Sequence, residues 1–346
     1  MNKLNKEKLK IKKDGDSTLI NPLKNKETVN KSIYGFSKSE KNINEEKDKI
    51  KNSNDKYLIF HTEGGHGKQI MSTAVIRAIK KKYPDRKIIV VTAWDSPFFY
   101  NPDVYRFYTF GEMKYFFDDY INEDTIIFRH EVYHSEDHIL QRKHLTESWC
   151  NMYNIPHDGI YPKIYINPRE IEIAKDKIKP HIGKPIMLLQ THGGGGQQYS
   201  KKSWARDMPI EIAQTLVNYF AKDYRILHLR RSEQPALKGV EHVQLPLREL
   251  YAVFLLSKKR LFIDSFAQHV ASALNLPSTV CWIANKPKVF GYDLHTNITP
   301  NAKVQQYFNK YSYLDQFDIS GQIQQFPFDN VNLFNINEII NAINKQ

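Results

Sequence analysis

From Tyr57 onward, short apolar runs alternate with amphipathic stretches. "YLIFHT" (57–62) has the look of a buried strand and runs into the glycine turn "EGGHG". In the following "KQIMSTAVIRAIKKKYP", Ile70, Ala74, Ile76, Ala78 and Ile79 mark one helical face, and Pro84 closes it. "KIIVVTAW" (87–94) reads as a second buried strand. Strand, helix and strand in that order make a βαβ unit, which implies a parallel sheet with right-handed crossovers. A third strand, "DTIIFRH" (124–130), is expected before a long amphipathic helix from about Asp137 to Tyr153.

The pattern then restarts. "KPIMLLQTHGGGGQQ" is a strand entering a glycine loop, and "MPIEIAQTLVNYFAK" is a helix. "YRILHL", "LRELYAVFLLSK", "KRLFIDS", "AQHVASALNL" and "STVCWI" continue the alternation. Two βαβ-rich parts, each opened by a strand and a glycine turn, predict an α/β protein of two Rossmann-like domains facing a cleft. The boundary is expected around 168–184, "PREIEIAKDKIKPHIGK", giving domains at 56–175 and 176–346, with room for the C-terminal helix to return to the first. Ligands in such sheets bind beyond the carboxyl ends of the strands, which puts the site in the cleft.

Charge changes this picture at one end. The chain of 346 residues carries a formal +12, and residues 1–56 hold 15 Lys against 9 Asp and Glu, so half of the excess lies there. That Lys- and Asn-rich segment has few apolar residues and is expected to be a disordered basic tail over 1–55. Such a tail could touch anionic lipid or nucleic acid, or remain solvated without a partner. No apolar run is long enough to span a bilayer, and no apolar h-region opens the chain. Cys150 and Cys281 are too far apart in sequence to suggest a disulfide framework or a metal knuckle. The expected location is the cytoplasm, with a peripheral position at the inner membrane face open.

Three stretches carry candidate chemistry. The resemblance of "HTEGGHGKQI" (61–70) to a phosphate loop fails because Thr62 replaces the first Gly and Gln69 the metal-binding hydroxyl. "HEVYH" (130–134) matches H-E-x-x-H, which on a helix would offer His130 and His134 to zinc with Glu131 as base. The strand pattern before it and the extended preference of Val132 and Tyr133 point instead to a loop after a parallel strand. There Glu131 or Asp137 could act on a hydroxyl. In "RLFIDSFAQHVASALNL", Asp264 and Ser265 end a strand beside a helix start, where free N–H groups suit an anion, with His269 one turn in. Helix capping by Asp264 and Ser265 explains the same residues equally well.

"DSFAQHVASALNLPSTVCW" (264–282) resembles the donor-site signature of the heptosyltransferase-like glycosyltransferases, family nine, which have the two-domain GT-B fold. "KKSWARDMPIEIAQTL" (201–216) and "GGHGKQIMSTAVIRAIKKKYPDRKIIVVT" (64–92) resemble other segments of that family, in the family's order. The resemblance implies that Lys202 contacts the donor's phosphates, that Asp264, Ser265 and His269 line the nucleotide sugar, and that Glu233 holds its ribose. Trp204 is expected to pack. Two residues depart from the pattern: Phe266 stands where the family has Gly, and Lys68 where it has the Asp of the opening turn, taken as catalytic base. Lys68 is therefore expected to bind an acidic acceptor with Gly65 and Gly67, leaving the base to Glu131, His66 or Glu63.

The implied activity is transfer of a sugar from a nucleotide-diphosphate donor, used as co-substrate, to a hydroxyl of a glycan or glycolipid. By the same resemblance it is inverting and uses no metal cofactor. A DNA-modifying glycosyltransferase or nucleic-acid binder acting through the tail is the alternative, and a zinc hydrolase through His130, Glu131 and His134 a further one.

Overall fold

Parallel strands buried on both faces organise the molecule. The computed structural model describes residues 55–111, 113–180, 182–193, 206–304 and 332–346. Strands β1 (Lys56–Thr62), β2 (Arg86–Thr92), β3 (Arg106–Thr109) and β4 (Ile126–Phe128) form one sheet in the order β3-β2-β1-β4. Strands β5 (Ile186–Leu189), β6 (Arg225–Leu229), β7 (Glu241–Val243), β8 (Lys259–Ile263), β9 (Thr279–Cys281) and β10 (Thr296–Ile298) form a second, ordered β10-β9-β8-β5-β6-β7. Every pairing is parallel. In each sheet the chain works outward from its first strand and then crosses to the other side. The order therefore reverses between β1 and β4 and between β5 and β8, where such sheets open a crevice.

Helices fill the faces. They are α1 (His66–Lys82), α2 (Phe116–Tyr120), α3 (Glu136–Ile139), α4 (Leu145–Met152), α5 (Pro168–Ile178), α6 (Ile210–Phe220), α7 (Leu247–Leu256), α8 (Phe266–Ala273), α9 (Pro287–Phe290) and α10 (Ile336–Asn344). One apolar cluster runs through both sheets, joining Phe60, Ile70, Val75 and Trp149 to Tyr251, Val270, Trp282 and Phe290. A second lies under α6 and α10, and a small third covers the outer face of the first sheet with Phe116 and Tyr120. Both cysteines are buried free thiols. Among the described residues no helix is long and apolar enough to cross a membrane.

Several elements differ from expectation. The helix foreseen over 137–153 is two, α3 and α4, because Gln141 turns left-handed at φ 50° and His144 caps a fresh start by accepting the Thr146 N–H. Strand β3 escaped notice because its half-exposed "RFYT" contains no apolar run. The segment read as a boundary is the helix α5, begun by Pro168 and by a capping box between Asn167 and Glu170. Helix α10 does not return to the first sheet; it packs on β8, β9, β10 and α6. The expected tail, 1–55, lies outside the described residues but for Asp55, as do Lys202 and Trp204.

Candidate active site at the strand ends

The glycine turn is built from three different requirements. Gly64 has φ 98°, a left-handed conformation that a side chain resists. Gly65 is the exposed N-cap residue of α1, with nothing within 4 Å of where a Cβ would stand. Gly67 is the tight one. A Cβ there would come within 2.8 Å of His269 Cδ2 and 3.5 Å of the Phe266 Cα, so α1 meets the first turn of α8 at this residue. His66 lies in the same contact, stacked on Tyr251 and hydrogen-bonded to its hydroxyl, with Trp94 and Phe266 edge-on at 5.5 and 5.7 Å. Burial lowers the His66 pKa to about 4, which keeps the ring neutral at pH 7. Gly67 and His66 thus serve packing between the two sheets.

Lys68 turns the other way. Its side chain is 2% exposed and its ammonium reaches both oxygens of Glu131, at 2.6 and 2.5 Å. The rings of Tyr133 and Trp149 flank it at 4.9 and 5.3 Å. Burial lowers the Lys68 pKa, and the bond to Glu131 opposes that. The expected acceptor contact of Lys68 is therefore not available: the ammonium is enclosed and spent on a carboxylate. Glu131 also accepts the Tyr133 N–H at 3.1 Å and remains 32% exposed. This pair spans the β1–β4 crevice, since Lys68 follows β1 and Glu131 follows β4. Glu63, at the end of β1, is exposed and lies 3.5 Å from His61.

The zinc reading fails on geometry. Glu131 caps a short 3-10 turn, Val132–His134, rather than occupying an α-helix, and its oxygens face Lys68. Asp137 lies in α3 with Asn151 and Lys143 on its carboxylate. Among the described residues no group of three or more His, Cys, Asp or Glu is arranged to hold a metal ion.

At the β5–β8 crevice, Asp264 and Ser265 sit where expected, at the end of β8 before α8, and both are buried. Burial raises the Asp264 pKa, against Arg206 and the Asn285 amide, which donates to its Oδ2. Ser265 is the N-cap residue but makes no side-chain cap; its Oγ instead accepts from Gln190 Nε2 at 3.2 Å. His269 is enclosed, its Nδ1 2.8 Å from the Tyr292 hydroxyl. Burial first, then the neighbouring His144, His295 and His66, hold its pKa well below the ordinary value. Glu233 is on the surface, paired with Arg231 at 2.8 Å.

Beside them opens a cleft of about 200 Å³ over the carboxyl ends of β5, β6 and β7. Leu229, Val243, Leu245, Leu250 and Phe266 give it apolar walls, and Gln190, His192, Arg230, Arg231 and Gln234 give it polar groups. Among the described residues, Gln190 Oε1 is buried without a hydrogen-bond partner. Sequence reasoning missed Gln190, Asn285, Arg206 and the Lys68–Glu131 pair. The last joins positions 63 residues apart, and only the β1–β4 neighbourhood, invisible in a periodicity, brings them together.

No family model matches the sequence, and no curated protein does. Solved structures do match. The glycosyl transferase family 9 structure from Veillonella parvula DSM 2008 aligns with a TM-score of 0.59 at 13% identity, over 84% of this chain and 96% of that one. The iron-containing dodecameric glycosyltransferase TibC from enterotoxigenic E. coli H10407 aligns at 0.58 and 12%, over 84% and 75%. TibC in complex with ADP-D-beta-D-heptose, described there as a heptosyltransferase, aligns at 0.57 and 12%, over 84% and 77%.

Proposed function

We propose that the chain, an α/β protein of two parallel sheets with the fold of the family-nine glycosyltransferase structures, is a glycosyltransferase of the heptosyltransferase-like kind, which takes a nucleotide-diphosphate sugar at the second sheet and a hydroxyl acceptor at the first. One observation carries the reading. The cleft over β5, β6 and β7 adjoins the Asp264–Ser265 strand end through Gln190 and Phe266, and it combines apolar walls with a buried amide oxygen, of Gln190, that has no hydrogen-bond partner among the described residues. An apolar slot for a flat base, with a few convergent polar groups beside it, is the form of a nucleotide site.

In this reading an acceptor oxygen attacks the anomeric carbon, the bond from that carbon to the phosphate oxygen breaks, and the diphosphate leaves. The proton passes to the Glu131 carboxylate, which the enclosed Lys68 ammonium holds in one orientation. Lys202, by the family resemblance, would stabilise the departing diphosphate with its positive charge, in the role a metal ion could otherwise fill. His66, bonded to Tyr251 and neutral, is a poor candidate for the base. A glycan or glycolipid fits as acceptor, and a cytoplasmic site of action supplies the nucleotide sugar.

The test is thermal stabilisation of the full chain by ADP, GDP, UDP and CDP and their sugars, since a ligand of the native state raises its melting temperature. At least one is expected to stabilise, and Gln190→Leu is expected to reduce that shift while the protein stays folded. Failure of every nucleotide to stabilise refutes the reading.

A further inference from the structure

Just past the end of β2 stands Trp94, which is 45% exposed, whereas Trp149 and Trp282 are each 1% exposed. An indole left in water has to be explained by its surroundings, because its burial elsewhere would be favourable. Here the backbone is fixed beneath it. Gln69 of α1 is fully buried and uses both ends of its amide: Nε2 donates to the Glu63 carbonyl at 2.9 Å, and Oε1 accepts from Thr92 Oγ1 at 2.9 Å. Thr92 Oγ1 in turn accepts the Trp94 N–H at 3.1 Å. One buried side chain therefore ties together the ends of β1 and β2, which lie side by side with Thr62 opposite Thr92.

Those two ends carry acidic groups, one exposed and one half-buried. Beyond Thr62 comes the exposed Glu63 carboxylate, and beyond Trp94 comes Asp95. The indole meets the His66 ring, which touches Phe266, and Phe266 forms a wall of the nucleotide cleft. Trp94 thus stands one ring beyond the cleft, across the contact between α1 and α8. An exposed indole at strand ends that also carry carboxylates suits a neutral, polyhydroxylated ring. The ring's C–H face lies against the indole, and its hydroxyls donate to the carboxylates. The same carboxylates repel phosphate and acidic sugars, and Lys68 offers those no compensation because it is held by Glu131.

We propose that Trp94, with Glu63 and Asp95, is the platform on which an uncharged pyranose of the acceptor docks. This rests on the glycosyltransferase reading and names its acceptor as a neutral carbohydrate chain, free or lipid-linked. Full-length protein is applied to a glycan array, and the best binder is titrated by calorimetry against wild type, Trp94→Ala and Trp94→Phe. Wild type is expected to bind neutral oligosaccharides in preference to phosphorylated or sialylated ones. Trp94→Ala should lose on the order of tenfold or more in affinity, and Trp94→Phe should keep most of it. Stabilisation by nucleoside diphosphates should be the same in all three proteins. Absence of glycan binding by wild type, a preference for anionic glycans, or unchanged affinity in Trp94→Ala overturns the proposal. Trp94-dependent glycan binding without any nucleotide binding keeps the platform and removes the transferase reading.

Discussion

Replacing Gly67 by alanine opposes two effects whose sizes the structure supplies. In an ordinary helix, glycine to alanine is favourable by up to about 1 kcal/mol, because alanine has less backbone freedom to lose. At Gly67 the new methyl would meet His269 Cδ2 at 2.8 Å and Nε2 at 3.3 Å. The imidazole cannot swing aside freely, since it is 5% exposed and its Nδ1 is held by Tyr292 at 2.8 Å. Forcing a methyl into such packing costs typically 1–3 kcal/mol. The expected net is a loss of about 1 kcal/mol, or roughly 1–2 °C in melting temperature for a chain of this size. Differential scanning calorimetry reads it, with a double-mutant cycle as the decisive arm. In a His269→Ala background the clash is absent, so Gly67→Ala should become neutral or stabilising there. A rise in melting temperature for Gly67→Ala alone would refute the claim that α1 and α8 meet at this glycine.

The ion pair predicts an asymmetry. Glu131→Gln strands an ammonium that is 2% exposed and should cost about 3–5 kcal/mol, whereas Lys68→Met leaves a carboxylate that water can reach and should cost clearly less; equal losses in urea denaturation would contradict it. Under assay conditions Glu131→Gln should also lower kcat by ~10²–10⁴, and a kcat within a few fold of wild type would remove Glu131 as base. Acid provides another test. Burial lowers His66, His138, His144 and His295 to about 4 from an ordinary value of 6.5, so the unfolded chain takes up these protons first. Their stabilisation is complete above pH 6.5 and falls as pH drops toward 4, by up to ~1.4 kcal/mol per histidine per pH unit. Melting temperature should fall steeply between pH 6.5 and 5, and a flat profile there would show that these rings are not buried neutral.

The fold was legible where apolar runs were long. "YLIFHT", "KIIVVT" and "IMLL" announced central strands because parallel strands covered on both faces have no polar side to show. Edge strand β3 has such a side and was invisible. The candidate site was legible in part: Asp264 and Ser265 lie at the strand end and Glu131 lies past β4, as spacing indicated. What spacing could not reveal was partnership. Lys68 looked like a free cation because nothing local marks Glu131 as its counterion, and Gln69 looked like a defect in a phosphate loop. It is a strand clamp whose three contacts, to Thr62, Glu63 and Thr92, come from the ends of two neighbouring strands. Such roles depend on which strands are neighbours, and periodicity within one segment carries no record of that.

The apolar cluster that continues from Phe60 and Trp149 into Val270 and Phe290 bears on cooperativity. Arg248 reinforces it from the surface, with its guanidinium on both oxygens of Glu170 at 2.8 and 2.6 Å and on the carbonyls of Tyr165 and Ser96. A cut after residue 175 would pass through α5 and strip each sheet of part of that shared interior. Residues 55–346 should accordingly melt in a single transition whose calorimetric and van't Hoff enthalpies agree, and neither sheet expressed alone should hold its structure.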